Sequence, residues 1–227
     1  MKIESNSEKQ YNDFARDFQR ADEQFPDITR PLIYELIEPS LLPGSSLLDL
    51  GCGYGKDIQY FQKEGFEACG IDISSEMINL AKKIVPQAHL TQASFDKLPY
   101  GDESFDIVFS RYAIQHSHNT EQVFREIYRV LKPRGYLIFL VTHPMRHYFE
   151  KTTKDYWLQQ DIDSVILDGK VIVKEPSHTF SEYLSPFLLS KFDLEEFHEK
   201  HDPAARKFEG FGMYPRILLM RYRKKSY

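Results

Sequence analysis

The sequence has few of the features that mark secreted, membrane-spanning or nucleic-acid-binding proteins. It has one tryptophan and two cysteines in 227 residues. Two cysteines are too few for a disulfide-stabilised scaffold and are typical of a reduced, cytoplasmic setting. No apolar run approaches the roughly 18 residues of a membrane-spanning helix. The polar N-terminal stretch from Lys2 to Arg20 lacks the apolar core of a signal peptide. We therefore expect a soluble protein with no membrane partner.

Positive charge and metal-ligand patterns are also scarce. The formal net charge is -5, and the only extended basic run, Arg221-Tyr222-Arg223-Lys224-Lys225, is typical of a solvated tail. Nucleic acid is therefore not an expected partner. Neither Cys52 nor Cys69 has metal-ligand spacing, and His116-x-His118 lacks a neighbouring cysteine or carboxylate pair, so we expect no metal. A chain of this length suits one α/β domain better than two.

What the chain does contain is a glycine-rich loop directly after a short apolar strand, in Leu47-Leu48-Asp49-Leu50-Gly51-Cys52-Gly53-Tyr54-Gly55. Glycines at alternate positions remove the Cβ atoms that would hold a ligand away from the backbone. They also permit the positive φ angles of a tight turn from a strand into a helix. The loop therefore predicts contact with a bulky ligand.

A second apolar strand ends in a carboxylate at Gly70-Ile71-Asp72-Ile73. Asp72 lies roughly 20 residues beyond the glycine loop, the separation at which an acidic side chain binds the ribose hydroxyls of a nucleotide. The two features together predict an adenosine-containing cofactor.

The spacing of the glycines separates the possible cofactors. The dinucleotide fingerprint G-x-G-x-x-G has a third glycine where this chain has Lys56, and the P-loop pattern does not fit either. Asp49 would also bring negative charge close to a pyrophosphate. A cofactor with a positive centre tolerates that charge better, although a nicotinamide-dependent oxidoreductase remains an alternative.

At this point the residues resemble the class I S-adenosylmethionine-dependent methyltransferases of the small-molecule type, whose loop is D-x-G-x-G-x-G. The resemblance continues in the segment from Leu98 to Asp106, in Val130-Leu131-Lys132-Pro133-Arg134-Gly135, and in an opening helix with Tyr11 and Phe18. It covers roughly residues 8 to 145. Arg134 replaces the first of two usual glycines, so we expect only Gly135 to need a positive φ.

The resemblance implies a doubly wound, Rossmann-like α/β fold with a seven-stranded sheet, mostly parallel with an antiparallel last strand. It also implies one methyltransferase domain over residues 1–227. The predicted parts are an N-terminal helical cover at 1–40, a cofactor-binding core at 41–145, an aromatic-rich, substrate-covering insertion after strand five at 146–185, and closing strands at 186–227. Alternation of apolar strands with amphipathic helices supports this class.

Local patterns predict the individual elements. Strands are expected at 46–50, 67–71, 88–91, 105–110 and 136–141, and helices at 54–64, from Ser74 or Ser75 to before Pro86, and at 121–131. The insertion contains a hairpin pattern with Asp168-Gly169 at its turn.

The resemblance also implies a set of cofactor contacts. Arg30 would bind the carboxylate of the cofactor in a forked geometry, and Ile73 and Met77 would pack near the adenine, Met77 being equally typical of a core residue. Ser94 stands where the family usually has Asp, so the contact to the adenine amine could pass to Asp96. The implied contacts are Tyr11, Arg30, Asp49, Gly51, Cys52, Gly53, Asp72, Ile73, Met77, Ser94, Phe95 and Ser110.

Methyl transfer from a sulfonium requires mainly positioning and the exclusion of water. An acceptor that carries a proton needs a base, and histidine is suited to this near neutral pH. His143 after strand five is the first candidate, and His116 after strand four is the second.

The resemblance therefore predicts an S-adenosylmethionine-dependent methyltransferase with a small-molecule acceptor, methylated on oxygen or nitrogen, and S-adenosylhomocysteine as product. The alternative within this fold is a protein that binds the cofactor without transferring its methyl group. Both a monomer and a homodimer are compatible with the sequence.

Overall fold

The structure is a computed structural model that describes residues 6–24, 27–37, 42–166, 171–201 and 214–226. In chain order the described elements are α1 (Asn6–Gln24), α2 (Thr29–Glu35), β1 (Ser46–Leu50), α3 (Lys56–Lys63), β2 (Glu67–Asp72), α4 (Ser75–Ile84), β3 (Leu90–Gln92), β4 (Phe105–Arg111), a 3-10 helix (Ile114–His116), α5 (Thr120–Val130), β5 (Leu131–Thr142), α6 (Pro144–Glu150), β6 (Asp161–Ile166), β7 (Val171–Pro176), α7 (Phe180–Tyr183), α8 (Pro186–Lys191), β8 (Phe192–Lys200) and β9 (Ile217–Lys224).

Seven of these strands form one sheet in the order β3-β2-β1-β4-β5-β9-β8. The pairs among the first five strands of that order are parallel, whereas β9 runs antiparallel to both β5 and β8. The predicted doubly wound α/β sheet is thereby confirmed. The order reverses between β1 and β4, which is where open sheets of this kind form a ligand crevice.

The sheet is apolar on both faces because its strands are covered by helices on both sides. Neighbouring residues of β1 point in opposite directions, so Leu48 joins a core with α5 and Leu47 joins a core with α2 and α3. Both side chains are fully buried. Such nearly continuous apolar runs are expected of parallel strands with helices on either face.

The sequence located these elements well. The predicted strand at 46–50 is correct to the residue, and Ser74 caps α4 by accepting a hydrogen bond from the backbone N–H of Met77 at 3.1 Å. The fifth strand is longer than predicted, at Leu131–Thr142. β6 and β7 pair as the predicted hairpin, while its Asp168-Gly169 turn lies outside the described residues.

The prediction that Gly135 carries the positive φ in the turn before strand five is wrong. Arg134 itself has a φ of 64°, and Gly135 is not among the positive-φ glycines. Gly135 serves a different purpose, because a Cβ there would lie 2.9 Å from the backbone oxygens of both Asp106 and Lys132. The glycine is needed for space, and the arginine accepts the strained backbone.

The hairpin and α1 lie over the end of the sheet where the glycine loop emerges. The side-chain oxygen of Gln10 in α1 accepts a hydrogen bond from the backbone N–H of Lys174 in β7, at 2.7 Å. No helix in the described ranges is long and apolar enough to cross a membrane.

The strained backbone at Arg134 generates a stability prediction. Arg134→Gly should raise the free energy of unfolding by roughly 0.5–1 kcal/mol, because relief of left-handed strain outweighs the greater entropy of glycine in the unfolded chain. Arg134→Ala is the matched control, since it removes the same exposed side chain but keeps the strain. Urea denaturation of the three proteins measures the difference. Equal stability of the Gly and Ala variants would contradict the interpretation.

Candidate active site

The glycine loop after β1 is held against β2 by its own backbone. The N–H groups of Gly51 and Cys52 both donate to the carbonyl oxygen of Ile71 at 2.9 Å. Gly51, Gly53 and Gly55 have φ angles of 73°, 52° and 87°, as the glycine pattern predicted. The loop is therefore a fixed turn that directs its backbone toward the crevice between β1 and β4.

The three glycines have different surroundings. A Cβ on Gly51 would lie 2.3 Å from the Cβ of Ala113, and one on Gly55 would lie 3.0 Å from a methyl group of Val85. A Cβ on Gly53 would meet nothing within 4 Å. Gly51 and Gly55 are thus required by packing, whereas Gly53 faces open space in which a ligand can approach the backbone.

Asp72 joins the glycine loop to the start of α4. Its Oδ2 accepts from the backbone N–H of Gly53 and its Oδ1 from that of Ser74, both at 2.9 Å. Burial raises the pKa of Asp72 to about 6, although hydrogen bonds from the backbone of Ser74, Gly53 and Ile73 oppose the shift. A carboxylate has about four lone-pair sites, so Asp72 retains capacity to accept a ribose hydroxyl.

Asp49 lies beneath the loop with a buried oxygen that has no partner. Its side chain is almost fully buried, and Oδ2 has no hydrogen-bond partner among the described residues. Burial and the neighbouring carboxylate of Asp57 raise the pKa of Asp49 well above its usual range. A cationic group of a ligand would satisfy this oxygen and favour its ionised form. Nearby, the hydroxyl of Ser110 donates to the carbonyl oxygen of Leu50 at 3.2 Å, so its side chain is already engaged.

Helix α1 covers the cofactor loops. Ala15 packs with Tyr54 of the loop and Met77 of α4. The side-chain oxygen of Asn12 accepts from the hydroxyl of Ser74 at 2.7 Å. Met77 is buried in this small cluster and Ile73 is half-buried beside it, so both apolar side chains lie next to Asp72.

The predicted adenine segment follows β3. The hydroxyl of Ser94 donates to Oδ2 of Asp96 at 2.9 Å and accepts from the backbone N–H of Asp96 at 3.2 Å. Phe95 packs against the main core. Ser94 is thus hydrogen-bonded to Asp96, the residue that the sequence predicted as the alternative contact for the adenine amine.

Arg30 has the forked geometry that the sequence predicted, but it is directed at the protein itself. Its Nη1 and Nη2 donate to the two carboxylate oxygens of Asp22 at 3.0 and 2.8 Å, and Nε donates to Asp57 at 3.0 Å. Arg111 also donates to Asp57, at 3.1 Å. These carboxylates engage three of the five N–H donors of the guanidinium, so the contact of Arg30 with a cofactor carboxylate stays a prediction that has to compete with them.

The two candidate bases differ in what their ring nitrogens contact. His143 caps α6, with Nδ1 accepting from the backbone N–H of Met145 at 3.0 Å, and its Nε2 lies 2.8 Å from Oε1 of Glu199. Both nitrogens of His143 are therefore engaged within the protein, so its predicted role as a base would require one of these contacts to break. His116 has only one bonded nitrogen, Nε2, which lies 2.9 Å from the hydroxyl of Tyr11.

His116 belongs to a buried polar cluster that sequence reasoning missed, formed with Tyr11, His147 and Glu175. Oε2 of Glu175 lies 3.8 Å from Nε2 of His116, and Oε1 lies 3.5 Å from Nε2 of His147. Burial lowers the pKa of both histidines. Burial of Glu175 opposes ionisation, but His147 and His116 hold its pKa well below the usual range.

A signal for Glu175 was present in the sequence. Val171, Val173 and Glu175 alternate on the inward face of β7, while Ile172 and Lys174 point outward. A charged residue in the inward phase of an alternating strand is costly unless it has a function or a partner. Residues 116 and 175 are nevertheless far apart in the chain, so only the folded structure reveals their proximity.

Comparison with known proteins agrees with this geometry. Residues 48–139 match the family model described as a methyltransferase domain. The chain is 33% identical over 93 residues to a malonyl-[acyl-carrier protein] O-methyltransferase of Enterobacter lignolyticus (41% of this chain, 37% of that protein). It is 37% identical over 118 residues to phosphoethanolamine N-methyltransferase 2 of Caenorhabditis elegans (49% of this chain, 26% of that protein). This chain thus spans well under two thirds of the curated relatives it matches.

A solved S-adenosylmethionine-dependent methyltransferase from Methanosarcina mazei has the same fold, with a TM-score of 0.67 at 20% identity, covering 85% of this chain and 98% of that one. The match over residues 48–139 and the shared fold agree with the resemblance to the class I S-adenosylmethionine-dependent methyltransferases. The cofactor of this family is S-adenosylmethionine.

The residues present suit that cofactor. Gly53 leaves open space over the loop, Asp72 retains acceptors for ribose hydroxyls, and the unpartnered oxygen of Asp49 suits an ammonium group. In the described part of the chain, no group of three or more His, Cys, Asp or Glu residues is placed to hold a metal ion.

Two glycines of the loop should respond differently to the same substitution. Gly51→Ala should destabilise the fold by about 1–3 kcal/mol, because its Cβ overlaps Ala113. Gly53→Ala has no such overlap; beyond the left-handed backbone strain that both variants share, it should mainly lower the affinity for S-adenosylhomocysteine, by roughly tenfold or more. Thermal unfolding and calorimetric titration measure the two effects. The interpretation of Gly53 would be wrong if its variant bound as tightly as the wild type.

Asp72 should make cofactor binding depend on pH. Its carboxylate accepts both backbone hydrogen bonds and ribose hydroxyls best when ionised, and its pKa is about 6. The dissociation constant for S-adenosylhomocysteine should thus be constant above pH 7 and rise as the pH falls through 6, reaching roughly tenfold at pH 5. Asp72→Asn should bind weakly with the pH dependence removed. The same profile in wild type and variant would assign the titration to another group.

Proposed function

We propose that this protein transfers the methyl group of S-adenosylmethionine to a small-molecule acceptor enclosed between the loops after β4 and β5 and the β6–β7 hairpin. The observation that supports this most directly is the arrangement of Asp72, the open face of Gly53 and the buried imidazole of His116 at the same end of the sheet. A cofactor held by the first two would lie beside the third.

Each group has a defined part in the proposed reaction. Gly53 and Asp72 would hold the adenosine part, and Asp49 would receive the ammonium group of the methionine part. The cofactor supplies an activated methyl group on a positively charged sulfur. Removal of water by α1 and the hairpin, together with fixed geometry, supplies much of the acceleration in such a displacement.

His116 is the proposed base, because burial lowers its pKa and keeps the imidazole neutral at physiological pH. Burial and the nearby carboxylates of Glu175 and Asp72 raise the pKa of Tyr11, which therefore remains a hydrogen-bond donor to His116. When an acceptor displaces the hydroxyl of Tyr11 from Nε2, that nitrogen can take a proton.

The substrate-covering role of residues 146–185 and the monomeric or dimeric state remain proposals. By their names, one relative is an O-methyltransferase of malonyl-[acyl-carrier protein] and the other is an N-methyltransferase of phosphoethanolamine. They support a small acceptor methylated on oxygen or nitrogen. We also propose a soluble, cytoplasmic protein that needs neither membrane nor nucleic acid.

The proposal is tested by substituting His116, with a substitution of the neighbouring His118 as the control. His116→Asn should leave the affinity for S-adenosylhomocysteine within about threefold and lower turnover by roughly 10²- to 10⁴-fold, the usual contribution of a general base. His118→Asn is the matched control, because that side chain is 65% exposed and pairs with Asp161 at the surface. It should keep full turnover.

Calorimetric titration with S-adenosylhomocysteine, with NAD in parallel, comes before the kinetic assay. Binding of NAD alone would contradict the methyltransferase assignment. Tight binding of S-adenosylhomocysteine with no methyl release to any acceptor would favour a cofactor-binding protein without transferase activity.

A further inference from the structure

Four side chains from four separate elements meet in the buried cluster beside the proposed cofactor site. Tyr11 comes from α1, His116 from the 3-10 helix, His147 from α6 and Glu175 from β7. The side chain of Glu175 is 1% exposed, that of His147 is fully buried and that of His116 is 9% exposed. Convergence of so many polar groups in the interior requires a reason beyond packing.

Several polar atoms of this cluster have no hydrogen-bond partner within the described residues. They are Nδ1 of His116 and two facing atoms, Nε2 of His147 and Oε1 of Glu175, which lie 3.5 Å apart as an ion pair without a well-formed hydrogen bond. An unsatisfied buried polar atom typically costs about 1–3 kcal/mol, so these loosely paired groups indicate a site suited to a polar ligand.

The charge of the cluster indicates what is bound. Oε2 of Glu175 accepts a hydrogen bond from Nε2 of Gln115 at 2.6 Å, which favours the ionised carboxylate. In the described part of the chain, Glu175 forms ion pairs only with the titratable His116 and His147. Arg146 also interacts electrostatically with Glu175, but its guanidinium is paired with Glu150 at 2.8 Å. Among the described residues, Glu175 therefore has no ion pair with a permanent cation.

We infer that the methyl acceptor carries a protonated amino group and that Glu175 is its binding residue, an assignment that rests on the proposed methyltransferase function. An ammonium group offers three N–H donors. Oε2 of Glu175 lies 3.8 Å from Nε2 of His116, so an ammonium group placed between them can donate to both once the hydroxyl of Tyr11 has left Nε2. A carboxylate acceptor would face Glu175 with repulsion, and an alcohol would offer one donor only.

The reaction balances with the groups present. The ammonium group passes one proton to Nε2 of His116, and Glu175 stabilises the resulting imidazolium. The freed nitrogen lone pair forms the new N–C bond to the methyl carbon while the C–S bond breaks, and the electron pair of that bond remains on sulfur. The proton on His116 then leaves to solvent, so each turnover releases one proton and a methylated ammonium product.

Helix α1 lies against the cluster. Tyr11 and Gln10 tie this helix to His116 and to the backbone of β7. For an acceptor to bond Nε2 of His116, the hydroxyl of Tyr11 must first leave that nitrogen.

The charge preference is tested first with the wild-type protein. Two sets of three acceptors are used, and within each set the compounds share a carbon skeleton but differ in charge at pH 8. The first set is ethanolamine, ethylene glycol and glycolate. The second set is benzylamine, benzyl alcohol and benzoate. We expect binding to the protein loaded with S-adenosylhomocysteine, and methylation with S-adenosylmethionine, to favour the amine in each set. Preference for the alcohol or carboxylate, or failure to bind either amine, overturns the inference.

Variants of residues in the β6–β7 hairpin then test which side chain causes the preference for an amine. Glu175→Gln removes the charge with little change of shape and should lower kcat/KM for the amine by roughly 10- to 100-fold, mainly through KM. Glu175→Asp keeps the charge and should keep the amine preference. Asp163→Asn is the matched control, because its carboxylate is on the same hairpin but 59% exposed and paired with Lys174.

The outcomes separate this inference from the function on which it rests. Unchanged affinity for S-adenosylhomocysteine in Glu175→Gln, with loss of amine preference, supports the inference. Equal damage by Gln and Asp assigns Glu175 a structural role in the Gln115 network and overturns it. Failure of the wild-type protein to bind S-adenosylhomocysteine contradicts the methyltransferase proposal itself.

Discussion

The carboxylate of Asp72 is the interaction on which the rest of the site depends. It accepts one backbone N–H from the glycine loop and another from the start of α4, so it joins these two segments in addition to the backbone bonds between the loop and Ile71. Burial raises its pKa, and the backbone hydrogen bonds limit that rise. A carboxylate in this position holds the loop in place and retains capacity to accept a ribose hydroxyl. β2 ends at Asp72, beside the point where β1 turns into the glycine loop, and this places the carboxylate next to the loop.

The covering elements complete the site from outside the sheet. Helix α1 brings Tyr11 and Asn12 over the loop, and the β6–β7 hairpin brings Glu175 against His116. None of these contacts is local in sequence, and all of them exclude water from the place where the cofactor and the acceptor would meet. Electrostatic interactions are stronger in such an enclosed environment. Burial lowers the pKa of His116, which supports its role as the proposed base. Glu175 is buried in the same cluster, where its ion pairs are with histidines, and this supports the inferred preference for an amine.

The sequence predicted the parts of the protein that depend on local pattern. The apolar run of β1, the glycines at 51, 53 and 55 and the Ser74 cap each follow from residues within a few positions of one another, and each is confirmed. Tertiary contacts add constraints that local pattern does not reveal. Arg30 has the geometry to bind a carboxylate, but Asp22 and Asp57 occupy it. His143 has the expected position after strand five, but a helix cap and Glu199 use both its nitrogens. Glu175 contacts His116 across 59 positions of the chain, which no spacing rule predicts.

The most direct measurement of the central claim is a crystal structure of the protein with S-adenosylhomocysteine. The account predicts that both ribose hydroxyls lie within about 3 Å of the Asp72 carboxylate, a normal hydrogen-bond distance. It also predicts that the sulfur lies over the glycine loop and faces His116 and Glu175. A ligand bound away from Gly53 and Asp72, or one whose sulfur faces away from His116, would contradict the account.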